Sequence, residues 1–95
     1  MVTSDRLAVQ AVGLVRAAVA RGDAVTVFAT DAGARLLRAP EFVALAALPG
    51  VGMSYCGHSA DRLGGRPPGL PAAIHEGSQF ENSIMVDETD RLIVL

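Results

Sequence analysis

Residues 51–64 read VGMSYCGHSADRLG, and the reading of the fold turns on them. Val51, Met53 and Tyr55 alternate with Gly52, Ser54 and Cys56, the period of two that a β-strand requires. Gly57 and the small polar residues behind it break that period and open a loop or a helix start. A thiol is thereby set at the carboxyl end of a strand. Open α/β sheets place ligands and chemistry there, because the crevice lies outside the strand ends. Cys56, the only cysteine of the chain, is the candidate functional atom.

Upstream of this stretch, Ser4 and Asp5 offer an N-cap. Leu7, Ala11, Leu14, Val15, Ala18 and Val19 then recur at helical spacing up to Arg21 and Gly22, which predicts an amphipathic helix with a glycine just past its end. Residues 24–30 (AVTVFAT) are apolar nearly throughout and β-branched, as suits a strand covered on both faces of a parallel sheet. Asp31 is expected to cap about two helical turns through Arg38. Pro40 permits a second short helix, with Phe42, Val43, Leu45, Ala46 and Leu48 as its apolar positions, ended by Pro49 and Gly50.

Downstream, residues 63–71 (LGGRPPGLP) hold three glycines and three prolines and predict a loop of a length usually kept for function. A turn over residues 72–76 follows. Ser78 and Glu81 have capping-box spacing, and the helix they open is expected to turn Phe80, Ile84 and Met85 inward until about Glu88. Residues 90–95 (DRLIVL) predict a closing strand. Helices alternating with strands, joined by crossovers, give an α/β fold with a mostly parallel sheet and helices on both faces.

The 95 residues make one domain with a thin core. The apolar residues are mainly Ala, Val and Leu, which leaves hydrophobic surface to be covered by another subunit. The net charge is −2, and eight scattered arginines, with no lysine, form no basic patch; nucleic acid is not expected as a direct partner. A lone cysteine forms no internal disulfide. The N-terminus lacks the ordered regions of a signal peptide, and no apolar run reaches the length of a membrane span. The expectation is a soluble cytoplasmic protein without a membrane partner.

Cys56 is useful as a nucleophile only as a thiolate. A helix N-terminus after Gly57, the side chain of His58 if charged, and Arg62 are each able to favour the anion. A free cysteine at the end of a buried strand also commonly serves as a small core hydrophobe. Two other chemistries share these residues. Cys56 and Arg62 fit a Cys-x5-Arg phosphate loop of phosphatase type. Cys56, His58 and His75 are thiolate and imidazole donors of the kind zinc takes, although no fourth ligand stands out.

Cys56, Ser59, Ala60 and Arg62, followed by Gly64, resemble the strand-end cysteine loop of the DsrE/DsrF-like sulfur-relay (sulfurtransferase) family. Residues 21–37, with the strand VTVFAT, are similar to that family's first crossover, and Gly77, Ser78 and residues 90–95 resemble its last helix and strand. Over residues 1–95 the resemblance implies a single DsrE-like, flavodoxin-like three-layer sandwich. It implies a homo- or hetero-oligomer such as a trimer or hexamer, with sulfur donor and acceptor proteins as partners. By that resemblance Cys56 accepts sulfane sulfur as a persulfide and passes it on, with no bound cofactor or metal. Arg62 and the loop amides would stabilise the anion, Gly57, Ser59 and Ala60 forming the binding loop; His58 is counted with Cys56 and Arg62 as catalytic for its own charge. Family architecture further suggests Gln79 and Phe80 across from that loop, and the segment 63–71 as a control on access or a docking surface. The family begins with a strand before its first helix, whereas Met1, Val2 and Thr3 are too few for one. The sheet is therefore expected to lack that strand or to be finished by another subunit. Some members act only as structural or regulatory subunits, which is the alternative role for this chain.

Overall fold

Val51–Cys56 is the central strand of the sheet in the computed structural model, which describes all residues from 1 to 95. Strands β1 (Val25–Ala29), β2 (Val51–Cys56) and β3 (Ile74–Gly77) pair in parallel in the order β1-β2-β3. Their register sets Ala29 opposite Tyr55 and Cys56 opposite Gly77. Helix α1 (Ala8–Ala20) precedes the sheet. A 3₁₀ helix (Asp31–Arg38), α2 (Pro40–Val43) and a 3₁₀ turn (Ala44–Ala47) join β1 to β2. Helix α3 (Gly57–Arg62) starts directly from β2, and α4 (Gln79–Glu88) follows β3. A parallel sheet flanked by helices is the α/β class expected.

Alternation along the strands divides the side chains between two unequal faces. Val27, Ala29, Met53, Tyr55 and Ile74 pack with Ala11 and Val15 of α1, Leu36 and Leu37 of the first 3₁₀ helix, Phe42 of α2 and Leu45. Phe28 on the other face is buried too, but Thr26, Gly52 and His75 are exposed there. Right-handed crossovers explain the imbalance. The connections from β1 to β2 and from β2 to β3 step across the sheet in the same direction and therefore lie on one face. Only the return through α4 is left for the other.

The two ends of the chain depart from expectation. Val2 forms a parallel bridge to Ala29, donating its N–H to the Phe28 carbonyl at 2.8 Å and accepting from the Thr30 N–H at 2.9 Å. It is only 4 % exposed. The place of a first strand is thus occupied, by one residue's worth of pairing. A Cβ at Gly33 would overlap the Val2 carbonyl, so glycine is what lets this segment approach. The strand expected over residues 90–95 does not form. Leu95 pairs with Met1 and Thr3, and the Met1 ammonium donates to the Ile93 carbonyl at 2.8 Å, but the run goes no further, because the chain turns away into α1 after Thr3. The third strand is instead Ile74–Gly77, where a turn was expected.

Helix α4 also corrects the prediction. Ser78 does cap it, its hydroxyl accepting from the Glu81 N–H at 3.3 Å, but Phe80 is 73 % and Ile84 46 % exposed and Met85 is half-buried. The one residue it buries is Asn82, whose Oδ1 has no hydrogen-bond partner. A sheet of three short strands gives this helix little to lie on. Helix α1 begins at Ala8, with Leu7 rather than Ser4 or Asp5 at its N-cap position and no side-chain cap.

The Gly/Pro segment is built around a cation. Arg66 donates to the Tyr55 hydroxyl at 3.1 Å and to the carbonyls of Ile74 at 3.0 Å, Leu70 at 3.3 Å and Pro71 at 3.1 Å. Its guanidinium lies 5.7 Å from the centre of the Tyr55 ring, within cation–π range. The fork geometry of arginine allows one side chain to satisfy several converging oxygens. No helix of the chain is long and apolar enough to cross a membrane.

Candidate functional site at the strand ends

Because the strands are parallel and in register, the residues just past their carboxyl ends come level with one another. Thr30 follows Ala29, Cys56 ends β2 opposite Gly77, and Gln79 opens α4 two residues later. The chain leaves β1 through Asp31, which has φ of 51°, the left-handed region that non-glycine residues seldom adopt and aspartate tolerates better than most. The Asp31 N–H donates to Ser59 Oγ at 2.9 Å. Ser59 Oγ lies 3.3 Å from Thr30 Oγ1, and Thr30 Oγ1 accepts from Gln79 Nε2 at 2.7 Å. Three elements are thus tied at one point beside the thiol.

A cleft of about 330 Å³ opens there, lined by Asp31, Cys56, His58, Ser59, Arg62, Gly77, Ser78 and Gln79. An adjoining one of about 250 Å³ shares Asp31, Ser59 and Arg62 with it. Cys56 is 4 % exposed yet borders the larger cleft. Burial, the largest influence, pushes its thiol up. The Ser59 hydroxyl, the backbone N–H groups of Ser59 and His58 and the Thr30 hydroxyl together outweigh that, and the thiol titrates below its ordinary value. In the neutral thiol Sγ closes no hydrogen bond of full geometry with these donors; the two hydroxyls close on each other. They surround the sulfur as groups that a thiolate would draw in, since a donor favours the charged form.

Of the residues expected at the site, Cys56, His58, Ser59 and Arg62 are brought together. His58 contributes through its backbone N–H. Arg62 lines both clefts and makes no ion pair or hydrogen bond within the chain, but it is not among the groups that lower the thiol. Ala60 and Gly57 are placed elsewhere. Ala60 belongs to the hydrophobic core, and Gly57 is buried where a Cβ would strike the Glu76 side chain. Gln79 borders the cleft, while Phe80 points to solvent. No residue of 63–71 other than Leu63 lines either cleft, so this loop does not guard the thiol.

Thr30 and Asp31 were missed as site residues, although a signal existed. Once AVTVFAT and VGMSYC are parallel neighbours, the residue after the first strand must stand beside the cysteine that ends the second.

The rival chemistries find less support in this geometry. Residues 57–62 are helical, so amides from Ala60 onward are committed to the helix ladder and cannot converge on a phosphate as a Cys-x5-Arg loop would require. His75 is outside the cleft, and nowhere do three metal-ligating side chains converge. No protein-family model, curated protein or solved structure matches the chain, so the site is read from its own geometry.

Proposed function

We propose that the protein is a sulfur-relay protein that accepts sulfane sulfur on Cys56 as a persulfide and transfers it to an acceptor. The observation that carries this reading is the placement of the chain's one thiol in a cleft at the strand ends, among two hydroxyls and two backbone N–H groups that favour its anion. The thiolate is the nucleophile in exchange at sulfur. The Cys56 thiolate attacks the terminal sulfur of a donor persulfide R–S–SH, the new S–S bond forms as the old one breaks, and R–S⁻ leaves with the bonding electrons. The product Cys56–S–SH is a stronger acid than a thiol, and the same donors suit its anion. No cofactor is needed for this step. Donor and acceptor proteins are the partners this chemistry requires.

The test is intact-protein mass spectrometry after incubation with polysulfide or a sulfur-loaded cysteine desulfurase. The expected result is a gain of one sulfur atom, removed by reductant and absent from Cys56→Ser. A folded, reduced protein that gains no sulfur while its thiol is alkylated normally would sink the reading.

A second reading, a structural subunit of an oligomer, draws on the exposure of Phe80, Ile84, Leu92, Ile93 and Val94, apolar side chains that subunits commonly cover. It predicts an assembly larger than the monomer by light scattering together with no sulfur uptake.

A further inference from the structure

The hydrogen bond from Gln79 Nε2 to Thr30 Oγ1, at 2.7 Å, joins residues 49 apart in the chain. It is the one side-chain hydrogen bond by which α4 holds to the rest of the molecule, since the side-chain bonds of Ser78, Ser83 and Thr89 are local. Its effect on the site follows from counting protons. A hydroxyl has one proton to give and two lone pairs to receive with. Gln79 fills a lone pair on Thr30 Oγ1, and the Asp31 N–H fills one on Ser59 Oγ. Each hydroxyl keeps one lone pair and its proton, and a donor at position 79, unlike an acceptor, makes no claim on the proton of Thr30. One proton suffices for the 3.3 Å contact between the two hydroxyls, so the other is free to turn to the sulfur.

We propose that Gln79 is a positioning residue: by donating to Thr30 it holds the Thr30–Ser59 pair in the state that gives a proton to Cys56 Sγ, so that the docking of α4 sets how firmly the sulfur anion is held. This rests on reading Cys56 as the reactive atom, and it adds α4 as the element that tunes it. Two charged walls of the cleft, Asp31 and Arg62, the imidazole of His58, and the carboxylates of Glu76 and Glu81 near Gly57 and Gly77 are the other titratable or charged groups around the thiol. All of them stay in place in the variants that test the idea.

The test is the rate of Cys56 alkylation by iodoacetamide as a function of pH. Gln79→Glu has the same shape but accepts where glutamine donates, so the Thr30 proton turns to the carboxylate and away from sulfur. The expected result is a profile displaced to higher pH, with alkylation at a fixed pH below the midpoint slowed roughly threefold to tenfold. In a Thr30→Val background the same substitution is expected to change the rate by less than about twofold, because the intermediary is gone. Gln79→Met, which neither donates nor accepts, gives a smaller displacement that Thr30→Val also removes, and it serves if Gln79→Glu does not fold. A Gln79→Glu profile that coincides with wild type overturns the proposal. So does an equal displacement in the Thr30→Val background, which would mean that the carboxylate acts on the thiol directly through space. Sulfur loading measured at a pH above all the midpoints keeps the two readings apart. Displaced profiles with no loading in any variant would defeat the relay and leave Gln79's role standing, whereas normal loading with undisplaced profiles would do the reverse.

Discussion

Residues 1–62 and residues 74–95 belong to one sheet but are held in it by different means. The first set supplies nearly all the buried apolar side chains, with Phe42, Leu45 and Ala29 at 0 % exposure, whereas the second buries only Ile74 and Asn82. The cleft lies on the seam. Asp31, Cys56, His58, Ser59 and Arg62 come from the packed side, and Gly77, Ser78 and Gln79 from the thin one. Cys56 is thereby carried on well-packed backbone, while the opposite wall belongs to an element with little packing to hold it. Segments of low local stability are those free to move when a site must open.

This contrast is open to attack by substitution, and the largest effect is expected in the packed half. Phe42→Ala or Leu45→Ala removes a fully buried side chain and is expected to cost about 2–5 kcal/mol in urea unfolding. Ile84→Ala in α4 is expected to change stability by less than about 0.5 kcal/mol. Comparable losses at Leu45 and Ile84 would mean that α4 is packed as firmly as the core and that the seam is not one.

An intermediate effect is expected at Arg66. Arg66→Ala leaves the part-buried Tyr55 hydroxyl and Ile74 carbonyl, and the exposed carbonyls of Leu70 and Pro71, without their donor, a loss of about 1 kcal/mol, since water can reach the exposed acceptors. The loop it organises does not line the Cys56 cleft, so the pH profile of alkylation is expected to stay where it is. A displaced profile would show that the loop reaches the site after all.

The smallest effect concerns Cys56 itself. Its pKa is depressed in the folded state, so the folded protein favours the thiolate. The resulting stability is fully present above the unfolded value, near the ordinary 9.0, and is lost as pH falls through the folded pKa. Wild type should therefore gain stability relative to Cys56→Ser as pH rises through that window and show no such trend below it. A difference that shrinks with rising pH would mean that burial outweighs the donors.

Much of the packed half was legible in the sequence because its signals are local. The strands VTVFA and VGMSYC carry the apolar period, Pro40 opens a helix where proline is tolerated, and Gly57 marks the change from strand to helix. The thin half was misread for the same reason. Ile74-His75-Glu76-Gly77 has a single apolar residue, and only its place beside β2 makes it a strand. RLIVL looks like a strand by composition, but pairing needs a neighbour, and Met1 to Thr3 offer almost none. Phe80 and Ile84 have the right spacing to face inward, yet the inside is decided by how much sheet lies beneath them. At the site, Cys56 was visible as the only thiol. Thr30 and Asp31 were not, because their nearness to it depends on strand register and not on any motif.

The four oxygens and one ring that surround Arg66 make up a host for a guanidinium ion, and the chain furnishes its own guest. Most of that host is main-chain carbonyl, supplied by whatever residues stand at positions 70, 71 and 74 so long as the backbone keeps its path. Side chains along the loop can therefore drift widely in sequence without disturbing its closure, whereas the guest position and the tyrosine that faces it cannot.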